Sequence, residues 1–245
     1  MRTALITGAS RGIGRGIAQS LARQGFGLTV TSRNMDDLAA LAIDLKELGA
    51  PEVVHQAADM ADRHTLPSLV ELHGATFGSS MNALVVNAGV GTAGNVADLA
   101  MRRVDKTIEV NLIAAVLLVQ ASLPLLRTGA KSDRERGATI VGISSIAGVY
   151  AEAGLAVYGA SKAALSALLT TVNLEESGGG VKASSVSPAY VETDMSAWVT
   201  DEIPAETMLK VSDVVAVVDL LLRLGRTASI PSVVMTRSGT SGYGA

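Results

Sequence analysis

Along this chain, short and almost wholly apolar runs alternate with longer stretches in which apolar residues recur every three or four positions. Residues 3–7, 28–32, 53–55, 83–86, 138–143, 181–186 and 232–235 are rich in Val, Ile, Leu and Thr. Several end in glycine, serine or asparagine, as buried strands do. Helical spacing fills the intervals at about 15–23, 35–48, 65–77, 98–126, a stretch around Tyr158 ending near Gly178, and 211–224. Residues 128–137 are polar and charged and are expected to form a solvated loop. Residues 190–208 read as irregular. Strand and helix alternate with no linker and no repeat, which predicts one doubly wound α/β domain over 1–245, with a parallel seven-stranded sheet flanked by helices. Ligands of such sheets sit at the carboxyl ends of the strands.

Composition narrows the picture. Of 245 residues, 48% are apolar and 25 are glycine, which suits a buried sheet with tight turns. The net charge of −3 gives no reason to expect nucleic acid or an anionic membrane as partner. The absence of cysteine excludes thiol chemistry and disulfides. His55, His64 and His73 are read as surface or loop residues, and no metal site is expected. The chain enters its first strand at once, leaving no room for a signal peptide. Its longest apolar run, 112–119, is too short to cross a bilayer, so a soluble cytoplasmic protein is expected. The Gly/Ser-rich end after residue 235 should be mobile.

The chemistry starts at Gly8-Ala9-Ser10-Arg11-Gly12-Ile13-Gly14. A glycine turn between a strand and a helix suits a dinucleotide diphosphate. Gly8 allows the tight turn, Gly12 and Gly14 allow close backbone approach, and the helix N-terminus offers free N–H groups. The second strand ends in Ser32-Arg33, with no carboxylate until Asp36. Arg11 and Arg33 therefore flank the expected adenosine ribose and point to a 2′-phosphate, as in NADP(H). Asp59 either caps the next helix, as Asp62 could, or binds the adenine. Asn111 interrupts an apolar helix face and needs hydrogen bonds there. It is either a satisfied core residue or part of a site. Tyr158 and Lys162 are four apart on one helix face. An ammonium one turn away is expected to lower the phenol's pKa and make it a general acid/base. Ser144-Ser145 close the preceding apolar run.

Together these residues resemble the short-chain dehydrogenase/reductase family over essentially the whole chain. The opening motif appears as Thr7-Gly8-Ala9-Ser10-Arg11-Gly12-Ile13-Gly14, and a second as Val86-Asn87-Ala88-Gly89, with valine replacing the first Asn. Pro188-Ala189, followed by Thr193, matches the later Pro-Gly motif, with alanine for glycine. The thirteen-residue spacing to the tyrosine selects Ser145 over Ser144. The resemblance implies a catalytic set of Asn111, Ser145, Tyr158 and Lys162. Ser145 would bond the substrate oxygen, Lys162 would hold the nicotinamide ribose, and Asn111 would position a water relay. It implies cofactor contacts at Gly8, Ser10, Arg11, Gly12, Ile13, Gly14, Ser32, Arg33, Asp59, Met60, Asn87, Ala88, Gly89, Tyr158, Lys162, Pro188, Val191 and Thr193. The expected activity is hydride transfer between NADP(H) and a small carbonyl or secondary alcohol, by a homodimer or homotetramer packed through the helices around Asn111 and Tyr158. A small, open substrate lid is expected over about 190–210. The competing readings are a 3-oxoacyl-[acyl-carrier-protein] reductase and a dinucleotide-binding regulator without catalysis. The region 230–245 looks less like the usual ending of the former.

Overall fold

A computed structural model describes residues 1–240. The chain runs β1 (Thr3–Thr7), α1 (Gly12–Arg23), β2 (Gly27–Ser32), α2 (Met35–Glu47), β3 (Val53–Ala57), α3 (Leu66–Phe77) and β4 (Ala83–Val86). It continues through α4 (Met101–Ile108), a π turn (Glu109–Ile113), α5 (Ala114–Ser132), β5 (Ala138–Ile143), α6 (Ala156–Glu176), β6 (Val181–Pro188), α7 (Val211–Arg223) and β7 (Ser232–Met235). All strand pairs are parallel, in the order β3-β2-β1-β4-β5-β6-β7. Chain progression reverses direction between β1 and β4. The loops leaving these two strands therefore diverge and open a crevice at their carboxyl ends.

Side chains of successive strand residues point to opposite faces, and β1 shows the consequence. Ala4 and Ile6 join a core with α1, α2 and α7, whereas Leu5 joins a second core with α3, α5 and α6. Strands buried on both faces carry no polar alternation, so they read as continuous apolar runs. Each fully buried Leu or Ile contributes about 1.5–3 kcal/mol. Val86, which stands where the family motif has a polar side chain, is absorbed by the second core.

Three expectations need correction. The long helix begins at Met101, after a short 3-10 turn over Val96–Asp98, and runs unbroken through the π turn to Ser132. Residues 128–132, read as loop, are thus its last turns. Only 133–137 form a connection, and Asp133 folds it by accepting the amides of Arg136 and Gly137. Pro124 lies inside α5. The continuous helix Met101–Ser132 is long and apolar enough to cross a membrane by length and composition. Here it packs on α3, α6 and the sheet.

His73, read as a surface residue, is fully buried in α3. Its ring nitrogens meet Thr29 Oγ1 at 2.8 Å and Thr3 Oγ1 at 3.1 Å. Thr3 spends its own proton on the Ser80 carbonyl, so it accepts from Nε2–H, and burial, which pushes the imidazole down to about 4, keeps the ring neutral at pH 7. The third correction concerns helix capping. Asp59 Oδ1 accepts the amide of Ala61 and Asp62 Oδ1 that of His64, so neither caps α3, whose flanking Thr65 makes no side-chain cap. Of the end expected to be mobile, residues 241–245 lie outside the described residues.

Candidate active site

The glycine turn is built on contacts that no side chain could replace. Gly8 has φ +63°, and a Cβ on Gly14 would fall 2.2 Å from the Gly8 carbonyl oxygen. Asn87 holds this turn from β4. Its Nδ2 donates to the carbonyls of Thr7 and Gly8, each at 3.0 Å, while Thr7 Oγ1 accepts the amides of Asn87 and Ala88. Arg11 occupies the N-cap of α1 without a side-chain cap, and the first turn has no acidic residue. The amides there remain available, and the helix end favours an anion. This cradle fits a dinucleotide diphosphate.

A cleft of about 760 Å³ runs along the carboxyl ends of the strands. Of the residues singled out from sequence, Gly8, Ser10, Arg11, Gly12, Ile13, Ser32, Arg33, Asp59, Met60, Asn87, Ala88, Gly89, Ser145, Tyr158, Lys162, Pro188, Val191 and Thr193 line it. Gly14 and Asn111 are not among the lining residues. At the end formed by β2, Ser32 Oγ donates to the Asn34 carbonyl and Arg33 is exposed. Asn34 caps α2 by accepting the amides of Asp36 and Asp37. Asp37, a carboxylate missed from sequence, lines the same cleft as the two arginines. Arg11 is itself ion-paired with Asp194 at 3.0 Å.

At the other end, β5 delivers Ser145 and α6 delivers Tyr158 and Lys162. Ser145 Oγ accepts the amide of Ala147 at 3.2 Å and lines the cleft with Tyr158. Burial pushes the Tyr158 phenol above its ordinary pKa, and the neighbouring Ser145 hydroxyl offsets this in part. Lys162 is buried, and burial pushes its ammonium down to about 8. Its Nζ donates to the Ile143 carbonyl at 2.8 Å and lies 5.9 Å from the centre of the Tyr158 ring. Lys162, expected to lower the Tyr158 pKa, is not among the groups that shift it here. Desolvation of the phenol dominates, and the ammonium is turned to a carbonyl.

Asn111 sits in the π turn, 2% exposed. Its Oδ1 accepts the Val90 amide at 2.8 Å, and its Nδ2 donates to the Val90 carbonyl and to Ser161 Oγ, each at 3.0 Å. Both amide hydrogens are thereby used, so the side chain clasps the loop after β4 to α6. A Cβ on Gly89 would lie 3.2 Å from Lys162 Nζ and 3.3 Å from Asn111 Oδ1. That glycine keeps the approach open. Ala189 is accepted in place of glycine because no non-glycine residue has positive φ among the described residues.

Sequence reasoning also missed Glu152, Tyr190 and Trp198, which line the cleft beside Tyr158. For the two aromatics the one legible signal was rarity: with one tryptophan and four tyrosines in the chain, Tyr190 and Trp198 stand out in an irregular stretch.

The family model described as short chain dehydrogenase matches residues 2–203. An uncharacterized oxidoreductase of Myxococcus xanthus is 35% identical over 87% of this chain and 81% of its own length. The alcohol dehydrogenase of Thermococcus sibiricus, solved with 5-hydroxy-NADP, superposes with a TM-score of 0.86 at 27% identity, covering 98% of this chain and 97% of that one. The 3-oxoacyl-[acyl-carrier protein] reductase of Brucella melitensis, solved with NAD, has a TM-score of 0.86 at 31% identity, with coverages of 97% and 96%.

Proposed function

The chain belongs to the short-chain dehydrogenase family, and from that premise we propose that this oxidoreductase reduces a small carbonyl, or oxidises the matching secondary alcohol, with NADP(H). One observation carries the reading: Ser145, Tyr158 and the buried Lys162 line the same cleft as the glycine cradle. The dinucleotide, when bound, supplies or accepts the hydride. The Tyr158 phenol, kept protonated by burial, gives its proton to the developing alkoxide. Ser145 donates a hydrogen bond to that oxygen. Lys162 holds the nicotinamide ribose and keeps positive charge beneath the phenol. Asn111 acts through its clasp on Val90 and Ser161, which fixes the floor under Lys162.

The diphosphate fits over the backbone from Ser10 to Gly14, with Asn87, Ala88, Gly89, Pro188, Val191 and Thr193 along the nicotinamide half. Arg11 and Arg33 would grip a 2′-phosphate beside Ser32, and Asp59 and Met60 would border the adenine. Asp37 opposes that phosphate, and relatives solved with NADP-type and NAD ligands leave both forms within the family. The two arginines favour NADP(H). Residues 190–210 serve as the substrate lid of a single catalytic unit. Val116 and Leu174, exposed on α5 and α6, suit a homodimer or homotetramer.

The 3-oxoacyl-[acyl-carrier-protein] reductase reading rests on likeness to the Brucella enzyme. A panel of ketones and 3-oxoacyl thioesters, followed by NADPH oxidation, separates the two. Tyr158→Phe, which removes one hydroxyl, should lower turnover by roughly two orders of magnitude or more and leave NADPH binding in place. Turnover on no carbonyl, or full activity in that variant, would overturn the proposal.

A further inference from the structure

We propose that Glu152, held by Tyr190, makes the substrate end of the cleft a site for carbonyl compounds that carry a protonated amine. The inference rests on the carbonyl-reductase reading and names the substrate class of the same site. Glu152 lies in the connection between β5 and α6, Tyr190 just after β6, and Trp198 in the 3-10 turn Asp194–Val199. All three line the cleft with Tyr158. The Tyr190 hydroxyl donates to Glu152 Oε1 at 3.3 Å. The Tyr190 and Trp198 rings meet edge to face, with centroids 6.2 Å apart at 70°.

This arrangement holds one carboxylate at the hydroxyl end of an edge-to-face aromatic pair. Burial first, then the Glu152 charge, pushes the Tyr190 phenol up to about 12, with Tyr158 among its neighbours. Tyr190 therefore remains a donor at neutral pH and holds the carboxylate in place. Among the described residues no lysine or arginine pairs with Glu152, although eight other ion pairs form. An ammonium entering here donates a charge-assisted hydrogen bond to the carboxylate and is attracted to the aromatic rings.

The cations of the cleft are otherwise engaged or placed. Arg11 and Arg33 stand at the adenosine end, and Lys162 is bonded to Ile143. Arg103, on α4, donates to the Ala93 carbonyl, and Lys106 follows one turn later. The loop carrying Ala93 is tied to that of Glu152 by the bond from Gly94 N to Gly154 O. Arg103 is thus the group a substrate carboxylate would seek, and the test includes that case.

Three ketones of one skeleton provide the test: one bearing a tertiary amine, its neutral carbon isostere, and a carboxylate at the same place. With NADPH at pH 7, kcat/KM for the amine should exceed that for the isostere by about tenfold, with the carboxylate last. Glu152→Gln should bring the amine-to-isostere ratio towards one, and Glu152→Lys should put the carboxylate first. Equal values across the series, preference for the carboxylate in the unmodified protein, or a ratio unmoved in Glu152→Gln would overturn the inference. Turnover on none of the three would count against the carbonyl-reductase reading. Calorimetric titration of the same compounds into the protein–NADPH complex would then still decide the amine preference.

Discussion

The guanidinium of Arg11, in the glycine turn, lies 3.0 Å from the carboxylate of Asp194, which opens the 3-10 turn after β6. The two side chains are 65% and 74% exposed, so the pair contributes at most about 1 kcal/mol. On the proposed reading, a cofactor 2′-phosphate would compete for the same guanidinium. Asp194→Asn should therefore tighten NADPH binding by about two- to fivefold and leave NADH binding nearly unchanged. Fluorescence titration with both cofactors checks this, and equal tightening of both would show that Arg11 does not meet the 2′-phosphate.

On the proposed reading, the choice of cofactor would depend on the end of β2. Ser32→Asp combined with Arg33→Ala adds a negative charge and removes a positive one beside the adenosine ribose. A charge-assisted contact contributes about 1.5–3 kcal/mol, so the preference should pass from NADPH to NADH. Asp37→Asn should act in the opposite sense and strengthen NADPH binding. Dissociation constants for both cofactors in both variants are the readout, and an unchanged NADPH:NADH ratio would place the phosphate elsewhere.

The pH dependence of carbonyl reduction should report Lys162. Its ammonium, held down to about 8 by burial, is charged below that pH and lost above it. Tyr158, pushed upward, stays protonated across the same range. Reduction should hold level through neutral pH and fall above about 8, and Lys162→Met should lower the rate and abolish that limb. A pH–rate profile with the limb intact in the variant would assign it to another group.

His73 makes stability depend on pH on the acid side. Burial puts its folded pKa at about 4, against about 6.5 in the unfolded chain. Between these values the unfolded state binds the extra proton, so stability is full above about 6.5 and declines as pH falls towards 4. The difference corresponds to about 3 kcal/mol. His73→Gln should flatten this decline in urea unfolding measured from pH 7 to 4.5, whatever its effect on stability at neutral pH.

The alternation of strands and helices was legible in the sequence because it is local. A strand buried on both faces must be apolar throughout, and a helix on the sheet must repeat every three or four residues. β4, β5 and β7 fall where their apolar runs stand. The glycine turn was legible for the same reason, since Gly14 meets the backbone of Gly8 only six residues away. Other features came from contacts between distant segments. His73 reads as polar until Thr3 and Thr29 close on its two nitrogens. Arg11 reads as a free cation until a residue 183 positions later meets it. The orientation of Lys162 towards Ile143 rather than the phenol, the turning of Asp37 to the cleft, and the meeting of Glu152 with Tyr190 were likewise decided by tertiary structure. Spacing along one helix states which residues share a face. It cannot state which neighbouring carbonyl or carboxylate the packed sheet brings within reach, or how much water burial removes from an ionisable group.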